Sequence, residues 1–270
     1  MKSIQLGIVG AGNMASAMVR GLITSGRLAA AQIRVSDVSD AQCEAFRLAY
    51  GVQSADSTPA LVAWANVVLI AVKPQVVPSI LPDLAAAYRQ EQLILSIAAG
   101  VATNLIGEAL APGARVVRAM PNTPALVLEG ATAIARGQHA TEADITVAKD
   151  IFDAVGATFV LEESQMDAVT GLSGSGPAYV MLVVEALADG GVRMGLKRET
   201  ALALAVRTLY GSAKLLLESG EHPAALKDKV ASPAGTTIAG LCALEQHGVR
   251  SAFIEAVTAA TLRSTELGKR

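Results

Sequence analysis

The chain has 270 residues, enough for one large domain or two ordinary ones around a substantial core. Its formal charge of -2, with 17% charged residues, carries no polyelectrolyte signal, so neither a nucleic acid nor a membrane is an expected partner. A mean hydropathy of +0.44, built on Ala, Val and Leu with only 3% aromatic residues, points to an alanine-rich helical protein or to a large apolar subunit interface.

Residues 4–9 read as a buried strand, followed by a glycine turn and a helix to about residue 25. A short strand at 32–36 precedes helices at 41–49 and 58–64. The apolar run 67–72 is a strand, and 76–88 a helix with Pro78 and Pro82 near its start. Strands at 93–97, 115–119, 132–135 and 158–161 alternate with helices at 102–110 and 142–155. Strands that are apolar throughout, alternating with helices, predict a mostly parallel sheet covered on both faces. From residue 164 the strand signal stops. Helices are predicted at 166–172, 177–190, 197–218, 222–231, 237–247 and 249–262, with a polar, frayed tail over 266–270. The expected organisation is an α/β, Rossmann-like nucleotide-binding domain over 1–163 and an all-helical domain over 164–270.

Cys43 and Cys242 stand far apart and outside any CxxC pair, which predicts free thiols in the cytoplasm. His139, His222 and His247 have no ligand spacing, so no metal site is expected. Met1-Lys2-Ser3 runs straight into the first strand, so no signal peptide is expected. No uncharged apolar stretch reaches the length of about 18 residues that a membrane span needs; even 178–188 contains Glu185.

The turn Gly10-Ala11-Gly12-Asn13-Met14-Ala15 follows a strand and opens a helix. Gly10 permits the tight turn, Gly12 lets backbone approach a pyrophosphate, and Ala15 allows close helix–strand packing. The pyrophosphate would sit on the N-terminus of the helix, over Asn13 and Met14. The second strand ends Ser36-Asp37. Asp37 can accept hydrogen bonds from ribose hydroxyls, which favours NADH, or it can cap the next helix. Ser36 and Ser39 can hydrogen-bond a 2'-phosphate, and no arginine follows closely.

Ala71-Val72-Lys73-Pro74 carries Lys73 to the carboxyl edge of the sheet, where ligands bind in such folds. Met120-Pro121-Asn122-Thr123-Pro124 follows another strand; its prolines hold the segment rigid, and Asn122 can place its amide near the nicotinamide or the substrate. Ser96-Ile97-Ala98-Ala99-Gly100 ends a strand with small residues that leave room for a flat ring. Further on, Leu172-Ser173-Gly174-Ser175-Gly176-Pro177 is a tight turn in which Pro177 starts a helix. Ser232-Pro233-Ala234-Gly235-Thr236-Thr237 is a second such turn, suited either to simple capping or to a carboxylate at a helix N-terminus.

With these segments the chain resembles the pyrroline-5-carboxylate reductase family over essentially its whole length. The resemblance rests on residues 7–14, 71–74 and 118–124 with Gly130, on 172–179 through Glu185 and Gly195-Leu196, and on 226–228, Val230 and 232–237. It implies hydride transfer from NADPH, with NADH an alternative, to C5 of (S)-1-pyrroline-5-carboxylate. It also implies a homodimer formed by interleaved helices of the second domain, with dimers often assembling into a decamer. The active site then lies between the cofactor domain and helical elements that include the partner's. Thr237 is implied as the partner of the ring nitrogen, and Ser232, Gly235 and Thr236 as holders of the substrate carboxylate. Met120, Pro121 and Asn122 are implied to border the nicotinamide. The family usually has glycine at 234, so Ala234 is expected to keep a negative φ. A reductase of a six-membered cyclic imine acid and a non-catalytic NAD(P)-binding scaffold remain alternative readings. A hydroxyacid dehydrogenase is disfavoured because residues 177–190 contain no lysine.

Overall fold

The computed structural model describes residues 4–268; Met1-Lys2-Ser3 and the last two residues of the predicted tail lie outside it. Strands and helices alternate as β1 (Leu6–Val9), α1 (Asn13–Thr24), β2 (Ile33–Ser36), α2 (Asp40–Tyr50), β3 (Gln53–Ser54), α3 (Thr58–Trp64), β4 (Val67–Ile70), α4 (Val77–Ala87), β5 (Leu93–Ser96) and α5 (Thr103–Leu110). There follow β6 (Arg115–Met120), β7 (Gly130–Arg136), α6 (Glu142–Phe152) and β8 (Gly156–Leu161). The rest is helical: α7 (Met166–Val169), α8 (Gly176–Arg193), α9 (Arg198–Ser219), α10 (Pro223–Val230), α11 (Thr236–Gln246) and α12 (Val249–Gly268).

The sheet has eight strands in the order β3-β2-β1-β4-β5-β6-β7-β8. All neighbouring pairs are parallel except β6 and β7, which run antiparallel. Every residue of β1, β4 and β5 is buried, as strands covered on both faces require. One face carries a core around Leu6, Ile8, Met18, Leu22, Ile33 and Phe152, and the other a core around Leu61, Val68, Ile70, Leu84 and Ile94. Each such side chain contributes about 1.5–3 kcal/mol on burial. The chain leaves β1 toward β2 on one side and toward β4 on the other. The β1–α1 turn therefore opens at a topological switch point, the position where ligands bind in open α/β sheets.

Sequence periodicity misses the two-residue strand β3; the strand expected at 132–135 is present as β7, but its reversed direction is not encoded in an apolar run. Pro82 lies inside α4 rather than near its start. Its missing N–H would have bonded to the carbonyl of Pro78, one turn back, so the loss falls in the first turns of the helix.

Residues 4–175 with 259–268 pack as one compact unit, and 176–258 as another. The tail differs from expectation: α12 is helical through Gly268, because Asp167 accepts hydrogen bonds from Ser264 Oγ (2.7 Å) and Thr265 Oγ1 (2.8 Å). Within the second unit, α8 and α9 bury little beyond Ala188, Ala201 and Ala205. Met181, Leu182, Leu187, Leu204, Leu217 and Ile254 are left exposed. The helical stretch Glu163–Arg193 and helix Arg198–Ser219 are long and apolar enough to cross a membrane by length and composition, with 11% of each apolar window buried.

Candidate functional site

The phosphate turn is built on β1. Gly10 takes a φ of 104°, and a Cβ there would lie 2.6 Å from Ala71 O and 2.9 Å from Val72 Cγ1. Thus Ala71 and Val72, at the end of β4, press directly on the turn. Gly10 N donates to Ser36 O (2.8 Å) and Ala11 N to Asp37 Oδ2 (2.7 Å), so two successive amides are pinned to the end of β2. Gly12 then caps α1 with no side-chain hydrogen bond. The amides of Asn13, Met14 and Ala15 find no acceptor among the described residues, while Ser16 N returns to Gly12 O (2.9 Å). A Cβ on Gly12 would meet nothing within 4 Å. Open space beside unpaired amides at the positive end of a helix fits a pyrophosphate. Ala15 is fully buried, as its packing role requires.

Asp37 does not stand free. Its Oδ1 accepts from Ser39 N (2.9 Å) while Oδ2 holds Ala11 N, and Ser39 in turn caps α2 by accepting from Gln42 N. Ser36 is buried at 6% exposure. Lys73 is exposed just beyond β4, at the cap of a short 3-10 turn, and forms no ion pair among the described residues. At the end of β6, Asn122 Oδ1 accepts from Ala131 N (2.9 Å), so its amide nitrogen is not used in that contact. Met120 packs against Ala133, Ala135 and Met166. Pro121 is buried beside it.

The tight turn expected at 172–177 is not one: residues 170–174 are π-helical and lead through Ser175 into α8, and a Cβ on Gly174 would come within 2.7 Å of Met120 Cε. Close packing against Met120 is thus one physical reason for the small residues of this segment. Gly100 has a φ of 74° and lies against the end of α12, with its would-be Cβ 3.6 Å from Gly268 Cα, so the small-residue loop after β5 is covered in part by the chain terminus.

In the helical unit, α11 begins at the 232–237 turn. Gly235 caps it without a side-chain hydrogen bond, and the amides of Thr236, Thr237 and Ile238 have no acceptor among the described residues. A Cβ on Gly235 would lie 2.2 Å from Ser232 Oγ and 3.2 Å from Ser232 O, so a larger residue would turn the Ser232 hydroxyl away from the helix N-terminus, while the φ of -81° itself makes no demand for glycine. Ser232 and Gly235 are thereby brought together, with Thr237 part-exposed in the first turn. The expectation for Ala234 is wrong: its φ is 54°, in the left-handed region. Ser232 O accepts from Gly235 N (3.1 Å), closing a turn whose third residue, Ala234, takes the positive φ that type II turns place there, a region that disfavours any side chain.

One buried cluster escaped sequence reasoning. Arg118 sits at 7% exposure inside β6, with Nη1 3.7 Å from Glu163 Oε1. Glu163 also accepts from Thr103 N (2.8 Å) and Thr103 Oγ1 (2.6 Å), which caps α5 from a distance. The signal was a charge within an otherwise apolar strand; its partner, forty-five positions away, had none.

A doubly wound sheet with an open phosphate turn, joined to a helical unit with exposed apolar faces, defines a dinucleotide-dependent oxidoreductase with an oligomerisation domain. Residues 163–267 match the family described as pyrroline-5-carboxylate reductase dimerisation, and residues 5–100 the NADP oxidoreductase, coenzyme F420-dependent family. The chain is 46% identical to a pyrroline-5-carboxylate reductase of Methanosarcina acetivorans over 100% of both chains. It is 48% identical to that of Synechocystis over 99% of this chain and 100% of the relative. The fold superposes on the pyrroline-5-carboxylate reductase of Coxiella burnetii with a TM-score of 0.93, at 35% identity, covering 98% of this chain and 99% of that one. The Plasmodium falciparum pyrroline carboxylate reductase, solved with NADP bound, gives a TM-score of 0.88 at 31% identity over 99% of each chain. The chain belongs to the pyrroline-5-carboxylate reductase family.

Proposed function

We propose that this chain reduces (S)-1-pyrroline-5-carboxylate to L-proline with NADPH, NADH serving as an alternative donor. Two uncapped helix N-termini support the reading, one in each unit: α1 for the cofactor pyrophosphate and α11 for the substrate carboxylate. The α11 turn carries the choice of substrate, because it offers unpaired amides to an anion and a hydroxyl, that of Thr237, beside them.

Bound nicotinamide cofactor supplies a hydride to C5 of the imine. The protein's own part is orientation and protonation. The unpaired amide of Thr236, with Ser232 Oγ, holds the carboxylate; the Gly235 N–H, expected to share this task, is instead bonded to Ser232 O (3.1 Å) and shapes the turn. Thr237 Oγ1 hydrogen-bonds the ring nitrogen and relays the proton that this nitrogen gains as the C=N bond becomes single. Asn122 Nδ2, with Met120 and Pro121, borders the nicotinamide; Lys73 lies at the same sheet edge and adds a positive charge.

The exposed apolar faces of α8 and α9 are covered by a second copy rather than by lipid, since Glu185, Asp189, Arg207 and Lys214 interrupt them. We assign the protein to the cytoplasm as an interleaved homodimer that can build a decamer, with the domain boundary near residue 163.

The test is reduction of racemic pyrroline-5-carboxylate, followed by oxidation of NADPH and NADH in parallel and by detection of proline. Proline formation confirms the reading. Failure with both donors, in protein that binds nucleotide, points to a six-membered imine acid or to a scaffold. Thr237→Ala should lower kcat while leaving the dimer intact; unchanged kcat and KM would remove Thr237 from the mechanism.

A further inference from the structure

We infer that Asp37 is a positioning residue of the phosphate turn and not the reader of the adenosine ribose, so that its carboxylate serves NADH and NADPH alike. The inference deepens the cofactor reading above and rests on it. An acidic residue at the end of the second strand of such a fold is ordinarily assigned to the ribose hydroxyls, as a selector of NADH over NADPH. Here each carboxylate oxygen is already engaged by a backbone amide, Oδ2 by Ala11 N at 2.7 Å and Oδ1 by Ser39 N at 2.9 Å. Together with the Gly10 N to Ser36 O bond, the first contact clamps the turn to β2 over two successive residues. Clamping those amides inward leaves the following ones, from Asn13 on, directed to the ligand. A carboxylate accepting a backbone amide is a charge-assisted bond, stronger than a neutral one, and suits this task.

The positive side of the selection is equally committed. The arginines on β2 and α2 are Arg34 and Arg47. Arg34 stacks 4.4 Å above the Trp64 ring, and Arg47 bonds both oxygens of Glu44 at 2.6 and 2.7 Å. The carboxylate keeps further lone pairs, but the two amides fix its orientation toward the turn, and the two arginines on β2 and α2 each have another partner.

The test is direct binding of NADH and of NADPH to the full-length wild type, Asp37→Ala and Asp37→Asn, with no imine present. Hydrogen exchange of the backbone over residues 9–14 is measured in parallel without nucleotide. For Asp37→Ala, Kd should rise roughly tenfold for both cofactors, their ratio staying within about threefold of wild type, because one shared positioning contact is lost. Exchange at Ala11 should accelerate. Asp37→Asn keeps one carbonyl oxygen for Ala11 N, so it should fall between the two in binding and in exchange. An Asp37→Ala variant that loses NADH alone, or gains NADPH affinity, with Ala11 exchange unchanged, would overturn the inference and restore the ribose role. Wild-type protein that binds neither nucleotide would instead refute the cofactor reading, and the inference with it.

Discussion

Adding a single methyl group at Gly12 and at Gly10 should have opposite consequences. At Gly12 the φ is -84° and a Cβ meets nothing within 4 Å, so the apo fold has no reason to resist alanine. Removing glycine's freedom from the unfolded chain should stabilise by about 0.4–1 kcal/mol. For a chain of this size that is a rise in Tm of roughly 1–4 °C. On the cofactor site proposed above, the space the methyl fills is the one the pyrophosphate would occupy. Losing even one amide–phosphate bond, at about 1.5–3 kcal/mol, should weaken cofactor binding about 10- to 100-fold. At Gly10 the φ of 104° is unfavourable for any L-residue, and the new carbon would lie 2.6 Å from Ala71 O. Left-handed strain of about 1–2 kcal/mol plus an overpacking cost of similar size gives about 3 kcal/mol of destabilisation. Thermal melting of both variants, with and without NADPH, separates the two effects. A Gly12→Ala protein that melts as low as Gly10→Ala, or that binds NADPH as wild type does, would refute the claim that a ligand rather than the fold requires glycine at 12.

Glu163→Ala should destabilise by about 2–4 kcal/mol in a denaturant melt, since it leaves the Arg118 guanidinium buried beside an uncapped α5; the lower end applies because Glu163 itself is part-exposed. Ala234→Gly relieves the strain of a φ of 54°, offset by the extra entropy of an unfolded glycine, so stability should change by less than about 1 kcal/mol while the KM for the imine acid shifts with the mobility of the turn. Burial pushes the Cys43 thiol and the Tyr88 phenol above their ordinary pKa values. Both groups hold their protons longer in the fold than in the unfolded chain, so stability is unaffected below about pH 8.5 and falls as pH rises beyond it. A urea series from pH 7 to 10 measures this, and Cys43→Ala should flatten the thiol's part of the slope.

The sequence alone determined the elements whose signal is local. Continuous apolar runs marked β1, β4 and β5 because a strand buried on both faces tolerates little else, and the glycines at 10 and 12 marked the turn from β1 into α1 because the positive φ and close approach at Gly10 need the absence of a side chain. The Ser232–Thr237 turn was legible from its small residues. Only the tertiary structure decided the pairings between distant residues. Which of two roles Asp37 takes depends on an amide twenty-six positions away, and the role of Glu163 on Arg118 and Thr103. The left-handed backbone at Ala234 and the helical end of α12, held at Asp167, likewise come from closure of a turn and from a long-range contact. Neighbouring residues fix local conformation by sterics, but a side chain with several possible partners is assigned only when the fold brings one of them within hydrogen-bonding distance.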